Sequence, residues 1–355
     1  MTPVALPSHP RILVVALRRL GDVLLTTPLI RSVKRAFPTS AITALVFAGT
    51  EGILTGNPDL AGVVTLPVRA RAADQLAVLW RLARRYDLAL STQTGDRPTA
   101  LAIIAGRQSA GPIAAGGFAA AAKRVALSRS YVTDRNRHRL LDTLRLAEVL
   151  GIPAQQEIVC PAGEVRAGLI PPHPYAVVHA APMFAYKRWN NDGWRRLAAA
   201  LRERGLGLVT TGAAQDQCYL DEVWRDGDVV RLDGKLKWPE LSALIAASRL
   251  YVGPDTAISH LAAATGAPTV ALYGPTDPRI WGPWPLGGLA QPWAAAGTLQ
   301  SRGNVWLVQN PLPCLPCQQE GCERRLDSHS RCLDELSAAA VIAAVDQALS
   351  FATAA

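Results

Sequence analysis

Three features of the 355-residue sequence predict an α/β protein of two doubly wound parallel-sheet domains. Apolar strand-like runs alternate with amphipathic helical stretches, a proline-rich break falls near the middle, and the same alternation begins again beyond it. The chain is long enough for two packed cores. At 49% hydrophobic and 18% charged residues it has neither a disordered nor a fibrous composition. No apolar run reaches the roughly 18 residues expected of a membrane-spanning helix. The opening MTPVALPSHPRILVVAL has no basic n-region and no small-residue cleavage site, so a cytoplasmic protein is expected.

Taken in order, RILVVAL is a buried strand, and VLLTTPLIRSVKRAFP is a helix with basic residues on one face. AITALVF is a second strand, DQLAVLWRLARRY an amphipathic helix and DLALST a third strand. HRLLDTLRLAEVL, residues 138–150, closes the first half as a helix ending at Gly151. GLIPPHP is the break. YAVVHAA, GLGLVTTG, VVRLDG, LYVGPD and TVALYG then supply five strand ends with helical segments between them. The expected boundaries are 1–160 for a first Rossmann-like domain, 161–335 for a second, and 336–355 for an amphipathic C-terminal helix. Ligands of open α/β sheets bind beyond the carboxyl ends of the strands, so a central cleft between the two domains is the expected site.

The charge is unevenly distributed. Residues 1–150 hold 20 Lys and Arg against 9 Asp and Glu, a balance of +11; the rest hold 17 against 19, a balance of −2. The first domain therefore expects an anionic partner: nucleic acid, a membrane surface or a phosphorylated substrate. No aromatic platform accompanies the arginines, which disfavours RNA.

The stretch GPDTAISHLAAATG, residues 253–266, follows the strand run LYV. Asp255 is placed to cap a helix that runs to Thr265, with Gly266 as its C-terminal stop. A helix N-terminus offers unpaired backbone amides and a partial positive charge, which suits a phosphate. Thr256 and the small Ala257 lie at its mouth, and His260 within its first two turns. In KRWNNDGW, Lys187 and Arg188 follow another strand and can neutralise a diphosphate. Thr211 and Asp216 of VTTGAAQD lie at a third strand end, where a carboxylate can take ribose hydroxyls. Neither a GxGxxG fingerprint nor a Walker P-loop occurs, which weakens dinucleotide-cofactor and ATP-hydrolysing readings. In the first half, Asp22 of LRRLGDVLLTTP stands beside Arg18 and Arg19, where it can accept a proton. The arginines and the helix end are expected to lower its pKa. The acid pair Asp226 and Asp228 precedes a strand and is expected as a turn.

Four of six cysteines fall in PCLPCQQEGCERRLDSHSRCL: Cys314, Cys317, Cys322 and Cys332. Their spacing makes them candidate ligands of a structural zinc or iron ion, or a reduced or disulfide-linked structural knot. Cys160 and Cys218 are expected as buried lone thiols.

Together, RILVVALRRLGDVLLTTPLIRSVKRAFP, KRWNNDGW and DGKLKWPELSALIAASRLYVGPDTAISHLAAATGAPTVALYGPTDP resemble glycosyltransferase family nine, the lipopolysaccharide heptosyltransferases, with the third type most similar. The resemblance implies a GT-B fold: two Rossmann-like domains facing a central cleft, with the acceptor on the first, the nucleotide-sugar on the second, and the 336–355 helix crossing back to the first. It implies an inverting transfer of heptose from ADP-heptose to a hydroxyl of the anionic lipopolysaccharide inner core, by an enzyme touching the inner membrane peripherally. Asp22 then matches the general base and Lys187 the diphosphate contact. Asp216 stands at the ribose position, Leu236 packs on adenine, and Asp255, Thr256, Ala257 and His260 form the phosphate-holding mouth. Arg18, Arg19, Arg97, Lys123, Arg124, Arg135, Arg137 and His138 become acceptor candidates by charge and position. No cofactor is required for such catalysis, and no nucleic-acid partner is expected. Ala257 stands where many members have glycine, and Ala181 and Pro182 where they have hydroxyl residues, which leaves phosphate contacts to the backbone. The alternatives are a protein heptosyltransferase, a family member using another nucleotide sugar, and a non-catalytic nucleotide- or nucleic-acid-binding module.

Overall fold

The computed structural model of the chain describes residues 3–69, 78–225 and 229–354. It divides into two compact units, Met1–Pro161 and Ala162–Ala355.

The first unit is built on six parallel strands: β1 (Arg11–Ala16), β2 (Ala41–Phe47), β3 (Gly62–Leu66), β4 (Tyr86–Ser91), β5 (Gly106–Ile113) and β6 (Arg129–Val132). Their order is β3-β2-β1-β4-β5-β6, the doubly wound order with its reversal between β1 and β4. β1 is buried from Ile12 to Ala16, because helices cover both faces of a parallel sheet; its sequence is accordingly an unbroken apolar run. Val15 pairs with Leu45 on one side and Ser91 on the other. Leu13, Val15, Leu45, Ala89 and Leu101 share one core.

One expectation changes here, and one strand is new. The single helix expected over VLLTTPLIRSVKRAFP is two, Leu20–Leu24 and Thr27–Ala36. Pro28 has no amide to donate to a preceding turn, so it starts a helix instead of continuing one. The Thr26 hydroxyl donates to the Asp22 carbonyl at 2.8 Å at the break. Strand β5, GRQSAGPI, carries almost none of the residues that favour strands and is held by close packing. A Cβ on Gly106 would lie 2.9 Å from the Ala89 backbone nitrogen, so only glycine fits there. Of the helix expected over residues 74–86, residues 78–82 are helical, and 74–77 lie outside the described residues.

The second unit repeats the plan with β7 (Tyr175–Val178), β8 (Gly207–Thr210), β9 (Val230–Arg231), β10 (Leu250–Pro254), β11 (Thr269–Leu272), β12 (Leu299–Arg302) and β13 (Val305–Val308). The order is β12-β13-β11-β10-β7-β8-β9, parallel except for β12 against β13, with its reversal between β7 and β10. Trp189 and Trp194 flank the start of helix Asn191–Glu203, their rings edge to face at 4.9 Å. Gly193 leaves room for the Trp189 ring, which a Cβ would approach to 2.4 Å. The C-terminal helix Ala338–Ala354 lies in this unit. Val341, Ala344, Val345 and Ala348 join the core of Trp189, Trp194, Val252 and Leu272, an apolar stripe with period 3.6 that needs this burial.

Candidate active site

The reversal between β7 and β10 places two loops side by side at the carboxyl edge of the second sheet. The β7 loop carries Lys187; the β10 loop carries Asp255 and opens into helix Ala257–Thr265. Asp255 does not cap that helix. Its amide donates to the Leu272 carbonyl at 3.1 Å, continuing the strand, and Thr256 takes the N-cap position with extended backbone. The Asp255 carboxylate is thereby released. Its Oδ2 accepts from Lys187 Nζ at 2.5 Å and from Thr276 Oγ1 at 2.6 Å. Burial pushes this carboxyl upward, but the Lys187 ammonium and the Thr276 hydroxyl outweigh it and hold it below the usual range. Lys187 Nζ also reaches the Asp255 carbonyl at 3.3 Å.

The result is a fixed ammonium beside the mouth of a nine-residue helix, whose first-turn amides have no partner within the helix. Gly266 stops the helix in the left-handed region, at φ 86°. Within it, His260 is buried and its pKa is pushed down to about 4; burial dominates, Lys187 adds to it, and Asp255 opposes. The imidazole is neutral at pH 7, and its Nδ1 has no hydrogen-bond partner among the described residues. Gly253 is dictated by space: a Cβ there would lie 2.2 Å from the Tyr251 hydroxyl.

Other predicted residues divide. Thr211 is buried and its hydroxyl is occupied, lying 3.1 Å from His179 Nδ1, so its side chain is committed to the protein. Asp216 accepts from the Ala213 amide at 2.9 Å through Oδ2 and is half-buried. Leu236 is half-buried in the turn after β9. The Gly234 amide donates to the Gly212 carbonyl at 2.8 Å, which ties the loops carrying Asp216 and Leu236 together. The Arg188 guanidinium lies 4.0 Å above the Tyr219 ring, held away from a purely solvated position. Thr276, which orients Asp255, was not predicted; only the fold brings it there.

In the first unit, the corresponding edge carries Asp22 in the first turn of helix Leu20–Leu24. Its Oδ1 stands 3.9 Å from Arg18 Nη1 and accepts no hydrogen bond among the described residues. Its pKa is raised, not lowered as the neighbouring arginines predict: burial outweighs Arg18, Arg139 and Arg19 together. A carboxylate so raised is a stronger proton acceptor. Arg139 was not a candidate; it begins helix Arg139–Leu150 and bonds Asp142 Oδ2 at 3.3 Å. Gln93, at the end of neighbouring β4, is also new, with Nε2 buried and without a partner among the described residues.

Most of the predicted cations follow strand ends on this same edge, whereas Lys123 and Arg124 lie in the last turn of helix Phe118–Ala126. Arg18 and Arg19 follow β1, and both are exposed. Arg97 follows β4 with its guanidinium 5.6 Å from the Phe47 ring centre. Lys123 bonds Asp96 Oδ1 at 2.6 Å and the Thr94 carbonyl at 2.5 Å, while Arg124 is exposed. Arg135 is exposed and Arg137 half-buried after β6. His138 is buried and its Nδ1 accepts the Leu140 amide at 3.3 Å, capping the helix; it is a structural residue.

All six cysteines are free thiols. Cys314, Cys317, Cys322 and Cys332 line one cavity of about 300 Å³. No group of three or more His, Cys, Asp or Glu among the described residues is arranged to hold a metal ion. Burial pushes the Cys160 thiol up to about 12. Cys218 is exposed, against expectation, because its helix turns Leu220 and Val223 inward. Asp226 and Asp228 lie outside the described residues.

Two doubly wound parallel-sheet units in one chain make the GT-B fold of glycosyltransferases. Residues 78–289 match the family model described as glycosyltransferase family 9 (heptosyltransferase). The chain belongs to that family. It is 29% identical to lipopolysaccharide heptosyltransferase 3 of Escherichia coli strain K12, over 74% of this chain and 82% of the relative. It is 26% identical to lipopolysaccharide heptosyltransferase 1 of Pseudomonas aeruginosa, over 92% and 91%. A solved E. coli heptosyltransferase, WaaC with ADP, superposes with TM-score 0.71 at 20% identity, over 95% of this chain and 99% of that one. Among the described residues no helix is long and apolar enough to cross a membrane.

Proposed function

We propose that the protein is an inverting heptosyltransferase that moves heptose from ADP-heptose to a hydroxyl of the lipopolysaccharide inner core. The observation that supports it most is the Lys187–Asp255–Thr276 triad at the mouth of helix Ala257–Thr265. The ammonium and the first-turn amides are the donors a leaving diphosphate needs as its charge grows. Asp255 keeps Lys187 in place while that charge is absent. His260, neutral and with a free Nδ1, offers one further hydrogen bond to the phosphates. Asp216 and Leu236 hold ribose and adenine at the neighbouring strand ends.

The reaction is a single displacement. Asp22 takes the proton from an acceptor hydroxyl, the oxygen attacks the anomeric carbon, and the C1–O bond to ADP breaks on the opposite face, inverting the configuration. Lys187 and the amides balance the charge on ADP, so the step needs no divalent metal. The arginines of the first unit hold the phosphorylated core. Such an acceptor is lipid-borne, and it places the enzyme in the cytoplasm, in peripheral contact with the inner membrane.

The test is thermal stabilisation by ADP, UDP and GDP. ADP at about 100 times its dissociation constant should add about 2.7 kcal/mol to stability, a shift of several degrees. Selectivity for ADP, lost in Lys187→Ala, is expected. A preference for UDP, or no response to ADP in the native chain, overturns the donor assignment.

A further inference from the structure

In the first unit, helix Phe118–Ala126 follows β5, so it begins at the carboxyl edge that carries Asp22. It touches its own unit weakly: Ala120 is its sole buried residue among the described ones. Phe118 is 91% exposed and Val125 is 88% exposed, the two most exposed large apolar side chains among the described residues. Positions 118, 122 and 125 recur at helical spacing, so Phe118, Ala122 and Val125 form one apolar stripe facing outward. A stripe of this kind in water is unfavourable unless something covers it.

Charge identifies the covering. Arg124 is exposed on the same helix, and Arg18, Arg19, Arg69 and Arg135 are exposed at strand ends on the same edge of the sheet; the acidic residues exposed there among the described residues are Glu51, Asp96 and Asp134. Asp96 is already paired with Lys123. The helix is anchored, because Lys123 also bonds the Thr94 carbonyl at 2.5 Å in the loop after β4. An apolar stripe flanked by cations is what lies in the headgroup layer of an anionic bilayer, with the apolar side chains below and the guanidinium groups at the phosphates.

The geometry points to helix Phe118–Ala126 as a membrane-docking element that lays Phe118 and Val125 into an anionic lipid surface. Its placement would bring the acceptor edge of the first unit to the bilayer. The use made of that contact rests on the proposed lipid-borne acceptor; the contact itself does not.

The test is co-sedimentation with vesicles of phosphatidylglycerol and phosphatidylethanolamine, against vesicles of phosphatidylcholine, with neither donor nor acceptor present. The native chain should bind the anionic vesicles, more weakly as salt rises. Phe118→Asp with Val125→Asp should lower partitioning at least ten-fold, and Arg124→Glu should lower it by a smaller factor. Both apolar positions are exposed, so the double variant should retain its melting temperature, its ADP response and its transfer to an acyl-free acceptor. Equal binding by the native chain and the double variant overturns the proposal, as does failure of the native chain to bind anionic vesicles. Vesicle binding by a chain that does not respond to ADP would overturn the heptosyltransferase reading and leave the docking element standing.

Discussion

In the second unit, the charged groups at the strand reversal are already partnered: Lys187 with Asp255, and Asp255 with Thr276. In the first unit, the carboxylate at the equivalent reversal is left with an arginine at 3.9 Å and no hydrogen bond to Oδ1. The six parallel strands of each sheet follow one order, so the scaffold does not cause the difference. It arises from what surrounds each acid. Hydrogen bonds to the charged form hold Asp255 ionised, whereas burial without them raises Asp22. One environment holds an ion pair together; the other leaves a carboxylate with a raised proton affinity.

Substituting Asp22→Asn breaks this contrast most sharply. Removing a general base should lower turnover by about 10²–10⁴-fold. The same change should stabilise the fold, because a raised carboxyl pKa means that the native state disfavours the charge present at pH 7. The gain should be read as a higher melting temperature. ADP should stabilise the variant as it does the native chain. A variant both inactive and less stable would show Asp22 to be a structural cap.

His260 tests the second site through pH. Its folded pKa of about 4 lies below the ordinary value of 6.5, so the unfolded chain binds the extra proton first. Stability is intact above pH 6.5 and falls as pH drops towards 4, by up to about 3 kcal/mol. Calorimetry between pH 7 and 4.5 should show this loss, and His260→Gln should flatten it. An unchanged slope in the variant would mean that other groups carry the acid sensitivity.

Much of this was legible in the chain. Central strands such as β1 and β10 are continuous apolar runs because both their faces are covered, and the polar residues that follow them stand at carboxyl ends by construction. Lys187, Asp255 and His260 were found that way. What stayed hidden depends on distance or burial. Strand β5 has glycine where neighbouring backbone comes close, and so lacks a strand's composition. Asp255 has the right residue type and position for a cap, and only the extended backbone at Thr256 redirects its carboxylate. Thr276 lies 21 residues from Asp255, and nothing local marks the pair. For Asp22 the nearby arginines were countable, but the burial that overrides them was not.

Arg139 offers the smallest and most discriminating change. It lies 117 positions from Asp22 and is fixed by Asp142, which is 1% exposed and also accepts from Thr133 Oγ1 at 2.7 Å and the Asp134 amide at 3.0 Å. Its charge lowers the Asp22 pKa, against the larger effect of burial. Arg139→Gln keeps a hydrogen-bonding side chain and removes the charge, so the Asp22 pKa should rise further. Activity of the native chain should fall as pH drops through the Asp22 pKa, and this acidic limb should move to higher pH in the variant. The displacement should appear in the pH–rate profile, with the loss of kcat largest on the acidic side. Stabilisation by ADP should not change, because the substitution leaves the second unit's ion pair intact. A uniform loss of kcat with an unmoved limb would assign Arg139 to acceptor contact or folding, and would leave burial alone to set the basicity of Asp22.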